Sequence, residues 1–265
     1  MTRTLTVIKV GGAVVEDEQQ LTQLLKDFSA IPGPKILVHG GGRRATKTAE
    51  RLGIETKMVE GRRITDAAML EVVTMVYGGL VNKNVVARLQ ALGVDALGLT
   101  GADANIILST KRPPVAIGPD FSTLIDFGFV GDVKRADGEK LSRFIEAGLV
   151  PVIAPLTHDG QGHMLNTNAD TMASETAKAM AAAGYDVTLV FAFEKSGVLA
   201  NPDDDASVIA SITHDDFQRY RADGIISGGM VPKIENALAA VDAGVSRVII
   251  TSAKAIDCHH GTVIS

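Results

Sequence analysis

Short apolar runs separated by longer amphipathic segments dominate this chain and limit what it can fold into. LTVIKV (5–10), KILVH (35–39), ALGLTG (96–101), VPVIAP (150–155), VTLVFAF (187–193) and SRVIIT (246–251) are nearly continuous in hydrophobicity, as strands are when helices cover both faces of a sheet. Residues 17–31 and 45–53 have helical spacing, and so does the long segment 65–93. In that segment Thr65 is expected to cap the helix, with Met69, Val72, Val73 and Val76 as its apolar stripe. Strand and helix alternate along the chain, so the expectation is α/β construction from parallel βαβ units. With 265 residues, 46% hydrophobic and 22% charged, there is material for one large domain or for two lobes sharing a sheet. The prolines of residues 110–128 interrupt any ladder and predict a loop. A seam is expected near residues 166–170, where the Asn-rich LNTNAD precedes the second half.

Composition removes several function classes. Net charge is −5, so no global basic bias favours nucleic acid. Aromatic residues make up 4% and Trp is absent, which argues against stacking platforms for bases. One cysteine, Cys258, excludes an intrachain disulfide framework. The N-terminal residues lack a signal peptide's apolar core and no run reaches membrane-spanning length, so the expectation is a cytoplasmic enzyme without membrane partners.

The chemistry concentrates where apolar runs stop at glycine. KILVH ends at His39, Gly40, Gly41 and Gly42 follow, and a helical segment begins at once. Such a turn presents free backbone N–H groups and the positive end of a helix dipole to an anion. Two anions fit. Gly40 to Ala45 satisfies G-x-G-x-x-[GA], with Glu60 about where a ribose-binding acid would stand, so one reading is a dinucleotide. The other is a phosphoryl group or the acid that receives it. A tight turn with no ligand is the plain alternative.

Lys9 lies inside a buried-type strand directly before Val10, Gly11 and Gly12, where an ammonium must reach solvent or meet an anion. Lys233 follows Gly228 and Gly229 near the start of a helical segment, suited to a phosphate or to an ordinary first-turn surface position. Asp170 begins another helical segment as a cap, a first-turn acid or a partner for a cation. Asn166 and Asn168 suit turns. Arg63 offers a bidentate fork to a carboxylate or a surface ion pair. No Gly-Lys pair and no G-x-S-x-G occur, which excludes a P-loop and a nucleophile elbow. Cys258, His259 and His260 are adjacent, with no second cluster to complete a metal shell, and no metal site is expected of the chain itself.

Taken together, IKVGG (8–12), VHGGG (38–42), GRRIT (61–65), LNTNAD (165–170), GIISGGMVPK (224–233) and GTVI (261–264) resemble the amino acid kinase family, and within it the enzymes that act on N-acetyl-L-glutamate in arginine biosynthesis. The resemblance runs from Thr4 to Ser265. It implies a three-layer αβα sandwich with a mainly parallel sheet, an N-terminal lobe of about 1–165 for the acylglutamate and dimerisation, and a C-terminal lobe of about 166–265 for the nucleotide. It implies transfer of the γ-phosphoryl group of ATP, with Mg2+ held mainly by the nucleotide, to the side-chain carboxylate of an N-acylglutamate. By position, Lys9 and Lys233 would hold the phosphoryl group in flight and Asp170 would orient them. Gly41, Gly42, Arg63 and Asn166 would meet the acylglutamate. Gly11 and Gly12, Glu194, Lys195, Ser196, Gly197, Val198 and Leu199, and Ile225, Ile226 and Ser227 would border the nucleotide.

Glu194-Lys195 stands where the family frequently has Asp-Val, and Arg62 stands where the residue before Arg63 is usually apolar. That extra cation raises N-succinyl-L-glutamate as an alternative substrate, with other amino acid kinases as further alternatives. Little chain precedes the first strand, and the resemblance then implies a homodimer rather than an arginine-inhibited hexamer. An NADP-dependent oxidoreductase is the reading from another enzyme class, and a non-catalytic metabolite sensor is a third.

Overall fold

The computed structural model describes residues 3–118, 123–201, 203–228 and 230–265. Eight strands form one sheet in the order Ser211–Ile212, Thr262–Ile264, Arg247–Ser252, Tyr185–Phe193, Arg3–Val10, Lys35–His39, Val150–Ile153 and Ala96–Leu99. Every neighbouring pair is parallel except Arg247–Ser252 with Thr262–Ile264. Each of the six apolar runs read from the sequence is a strand of this sheet.

Alternation along the strands divides the core in two. Leu5 and Val7 join Leu189, Phe191, Val248 and Ile250 on one face, under Met172, Ala173 and Ala177 of the Ala169–Ala182 helix and Ile234, Ala237 and Leu238 of the Met230–Asp242 helix. Ile8 and Val10 join Leu37, Val152, Val190 and Ile249 on the other face, under the Glu18–Ala30 and Asn82–Ala91 helices. The first of those helices begins where the Asp17 carboxylate accepts from the N–H groups of Gln19 and Gln20. It buries Leu21, Leu24, Leu25 and Phe28, a stripe at helical spacing in which each side chain contributes about 1.5–3 kcal/mol. The result is the three-layer αβα sandwich.

Three local expectations need correction. The 65–93 segment is helical only from Ala67, because the Asp66 carboxylate, not Thr65, accepts from Met69 N at 2.8 Å. Its middle, Thr74–Val81, is a π-helix. Residues 110–128 are not all loop: Val115–Ile117 pairs with Thr123–Ile125 as an antiparallel hairpin. Pro113 and Pro114 separate that hairpin from the Ile107–Lys111 strand, and the connecting residues 119–122 lie outside the described residues. Glu60 and Gly61 are the left-handed turn of a second hairpin, at φ 48° and 74°, joining Met58–Val59 to Arg62–Arg63. Glu60 therefore ends no strand of the eight-stranded sheet, as a ribose-binding acid of a dinucleotide fold would.

Candidate active site

Lys9 continues the row begun by Leu5 and Val7, so the strand's own alternation aims it at the helix-covered face. It is 7% exposed, and its Nζ lies 2.7 Å from Asp170 Oδ1. That oxygen is buried and has no well-angled hydrogen-bond donor, so the contact is an ion pair held by charge. Asp170 is free for it because the neighbouring Asn168 caps the helix, accepting from the N–H groups of Asp170 and Thr171. Lys233 stands in the first turn of the Met230–Asp242 helix. Its Nζ stands 4.0 Å from the centroid of the Phe193 ring, and Lys9 Nζ stands 4.8 Å from the same centroid. Burial pulls the Lys233 ammonium below its ordinary pKa of 10.5. Asp170 and Glu194 oppose that shift and Lys9 adds to it. Gly229, of the glycine pair before Lys233, lies outside the described residues.

These groups share a cavity of about 490 Å³ with Gly11, Gly12, Gly42, Arg43, Phe193, Glu194, Lys195, Gly197 and Met230. Two glycine runs meet at its floor. A Cβ on Gly40 would lie 2.9 Å from Gly12 N, and one on Gly12 would lie 3.3 Å from Gly41 N. A Cβ on Gly41 would strike the Tyr77 ring at 2.8 Å, whereas one on Gly42 would meet nothing closer than 4.0 Å. Packing within the protein thus accounts for Gly40 and Gly41, and Gly42 is the member of the triple that faces open space. His39, buried at the start of the run, donates from Nδ1 to Gly40 O at 2.9 Å and accepts at Nε2 from Asn82 Nδ2 at 3.1 Å. Burial depresses its pKa to about 4, and the neutral ring is the tautomer this network fits.

On the far side of Gly42 the contacts are neutral at one end. Arg63 Nη2 donates to Gly42 O at 3.0 Å and to Thr46 Oγ1 at 2.8 Å. Arg62, on the opposite face of the hairpin, is exposed. Asn166 Nδ2 donates to Thr65 Oγ1 at 2.9 Å, which gives the buried Thr65 its place. Gly41, Arg63 and Asn166 do not line the cavity: Gly41 and Arg63 adjoin Gly42, which does, whereas Asn166 bonds Thr65, which does not.

The remaining expected residues divide. Glu194 reaches Arg43 in an exposed pair at 3.4 Å, and Lys195 pairs with Asp205 at 2.7 Å. Ser196 and Ser227 are exposed and Ile225 is half-buried. Val198, Leu199 and Ile226 are buried, so a nucleotide beside them would meet backbone sooner than their side chains. Sequence reasoning missed Phe193, Tyr77 and His39. The first two lie inside apolar segments, 187–193 and 65–93, and are not singled out there. His39 carried a usable signal, a polar residue ending an otherwise apolar run.

Residues 4–252 match the Amino acid kinase family. Acetylglutamate kinase of Bacteroides fragilis is 63% identical over 100% of this chain and 98% of its own. Acetylglutamate kinase of Bacteroides thetaiotaomicron is 62% identical over 100% and 99%. Among solved structures, a protein of Streptococcus mutans superposes with a TM-score of 0.76 at 29% identity, covering 98% of each chain.

Proposed function

The chain belongs to the amino acid kinase family, and on that premise we propose that it is an acetylglutamate kinase of arginine biosynthesis. It moves the γ-phosphoryl group of ATP onto the side-chain carboxylate of N-acetyl-L-glutamate. The observation that carries this reading is the convergence of Lys9, Asp170 and Lys233 on one glycine-floored cavity, in a chain 63% identical to a curated acetylglutamate kinase.

An ionised carboxylate is already a nucleophile, so the site needs no strong base. One of its oxygens bonds to the γ-phosphorus as the bond to the bridging oxygen breaks, and ADP leaves with that electron pair. The barrier lies in bringing two anions together and in the charge on the group in flight. Lys9 and Lys233 meet that charge, and Asp170 holds Lys9. At an effective dielectric of about 20, one such contact at about 4 Å is worth up to about 4 kcal/mol before desolvation. Gly11 and Gly12 lie beside the phosphates, with Glu194 to Leu199 and Ile225 to Ser227 along the nucleotide. Mg2+ arrives on the phosphates as part of the substrate. Gly41, Gly42, Arg63 and Asn166 receive the acylglutamate, Arg63 exchanging its contacts with Gly42 and Thr46 for a carboxylate.

The N-terminal lobe, 1–165, would then bind the acid and the C-terminal lobe, 166–265, the nucleotide, joined where Arg3–Val10 pairs with Tyr185–Phe193. Met75 and Leu80 are 54% and 50% exposed on the π-helix beside an open Gly79, a surface that suits a homodimer. Among the described residues no helix is long and apolar enough to cross a membrane, which fits a cytoplasmic enzyme. The N-acetyl group follows the named relatives, since the exposed Arg62 gives no reason to favour a charged acyl group.

ATP-dependent trapping of the acyl phosphate by hydroxylamine tests the reading, with N-acetyl- and N-succinyl-L-glutamate compared. Hydroxamate is expected with N-acetyl-L-glutamate and ATP. NADPH binding without ATP binding, or no hydroxamate from either acid, would overturn it.

A further inference from the structure

We propose that Phe193 is a positioning residue whose ring face seats the ammonium groups of both Lys9 and Lys233 in the ligand-free enzyme. The proposal rests on the reading above, in which these lysines meet the transferring phosphoryl group. Phe193 ends the strand that pairs with Arg3–Val10, and the register sets Lys9 opposite Phe191. Two residues on, Phe193 projects to the same face. Its ring stacks on that of Phe191, centroids 6.1 Å apart and planes 11° apart, and Phe191 is 3% exposed. The ring is therefore held against the core, with the two lysine ammonium groups over it at 4.8 and 4.0 Å.

The two cations need such a seat because only one of them has a counter-charge. Asp170 pairs with Lys9. Among the described residues no carboxylate lies within ion-pair distance of Lys233. The charged groups that act on it are Asp170 and Glu194, which favour its protonation, and Lys9, which opposes it. A second acid here would neutralise the positive charge that an incoming phosphoryl group needs. An aromatic face attracts an ammonium through its quadrupole and leaves the charge intact. The ring thus aims Lys233 into the cavity and keeps it protonated without competing with the anion to come.

Competitive labelling of lysine amines across pH, read at Lys233 by mass spectrometry in ligand-free protein, tests this without turnover. In Phe193→Leu the Lys233 midpoint is expected to fall by about half a pH unit or more, and kcat/KM for ATP by about 5-fold to 30-fold. Phe193→Tyr, which keeps the quadrupole, is expected to restore both. Should Phe193→Leu fail to fold, a fluorinated phenylalanine at position 193 keeps the shape while weakening the quadrupole, and the same fall is expected. A folded Phe193→Leu or fluorinated protein with the wild-type midpoint and kcat/KM overturns the proposal and leaves the phosphoryl-transfer reading intact. Failure of that reading shows separately, as absence of hydroxamate from the wild type.

Discussion

The two ends of the proposed site, one inside the cavity and one beside it, are built on different physics. At the phosphoryl end, Lys9, Asp170 and Lys233 come from three distant segments and meet through charge, with two cations against one paired anion. At the acyl end, Arg63 donates to Gly42 and Thr46, and Asn166 separately donates to Thr65, through hydrogen bonds of 2.8–3.0 Å to neutral acceptors. On the proposed reading the donors of the acyl end already have neutral acceptors before substrate arrives, and Arg63 would exchange Gly42 and Thr46 for a carboxylate. The proposed phosphoryl end holds two cations against a single carboxylate, and an incoming anion would meet that excess charge. Groups of the first kind set how tightly a substrate sits, and groups of the second kind act most when charge develops in flight.

The largest effect that could break this contrast is at the lysines. Lys9→Ala and Lys233→Ala should each lower kcat by on the order of 100-fold or more, with Tm little changed in Lys233→Ala but lowered in Lys9→Ala, which strands the Asp170 carboxylate. Wild-type kcat in either folded variant would remove that lysine from the mechanism. Asp170→Asn keeps shape but leaves Lys9 without its counter-charge, and kcat should fall by about 10-fold to 100-fold. A loss of Tm with kcat unchanged would make Asp170 a helix-start residue only.

Glycine substitutions sharpen the boundary between packing and binding. A Cβ on Gly40 meets the Gly12 backbone at 2.9 Å, whereas one on Gly42 has 4.0 Å of clearance. Gly40→Ala should cost about 2–3 kcal/mol in urea unfolding. Gly42→Ala should leave stability within about 0.5 kcal/mol and raise KM for N-acetyl-L-glutamate. Equal destabilisation by both would erase the distinction.

A smaller, pH-dependent effect than that at Gly40 is expected at His39. Its pKa falls from 6.5 to about 4 on burial, so between those values the unfolded chain binds the extra proton and stability rises with pH. Near pH 5.5 this group should cost about 1 kcal/mol relative to pH 7, and His39→Asn should remove that part of the slope. An unchanged slope would mean that His39 titrates elsewhere.

Much of this was legible in the sequence because strand and helix periods are local. The six apolar runs, the Asp170 helix and the stripe Met69, Val72, Val73 and Val76 follow from side-chain spacing alone. Lys9 was legible because an ammonium in a buried strand demands an anion. Its partner was not, since Asp170 lies 161 residues further along the chain and only the packing of its helix on the sheet brings them together. The glycine triple was half legible. That Gly40 yields to the Gly12 backbone and Gly41 to Tyr77 depends on a π-helix and on a loop from another strand. The cap shifted by one residue because Thr65 and Asp66 are both competent, and Asn166 claims the Thr65 hydroxyl. Phe193 gave no local sign, since an aromatic ending a strand reads as core until two lysines are found over its ring.

Most direct is a crossed kinetic comparison of Lys233→Ala and Arg63→Ala, with hydroxamate formation followed at varied N-acetyl-L-glutamate and saturating ATP. Lys233→Ala should lower kcat by on the order of 100-fold with KM for the acid changed less than about 3-fold. Arg63→Ala should raise that KM by about 10-fold to 100-fold with kcat changed far less. Both variants moving the same parameter by the same factor would contradict the division of labour between the two ends.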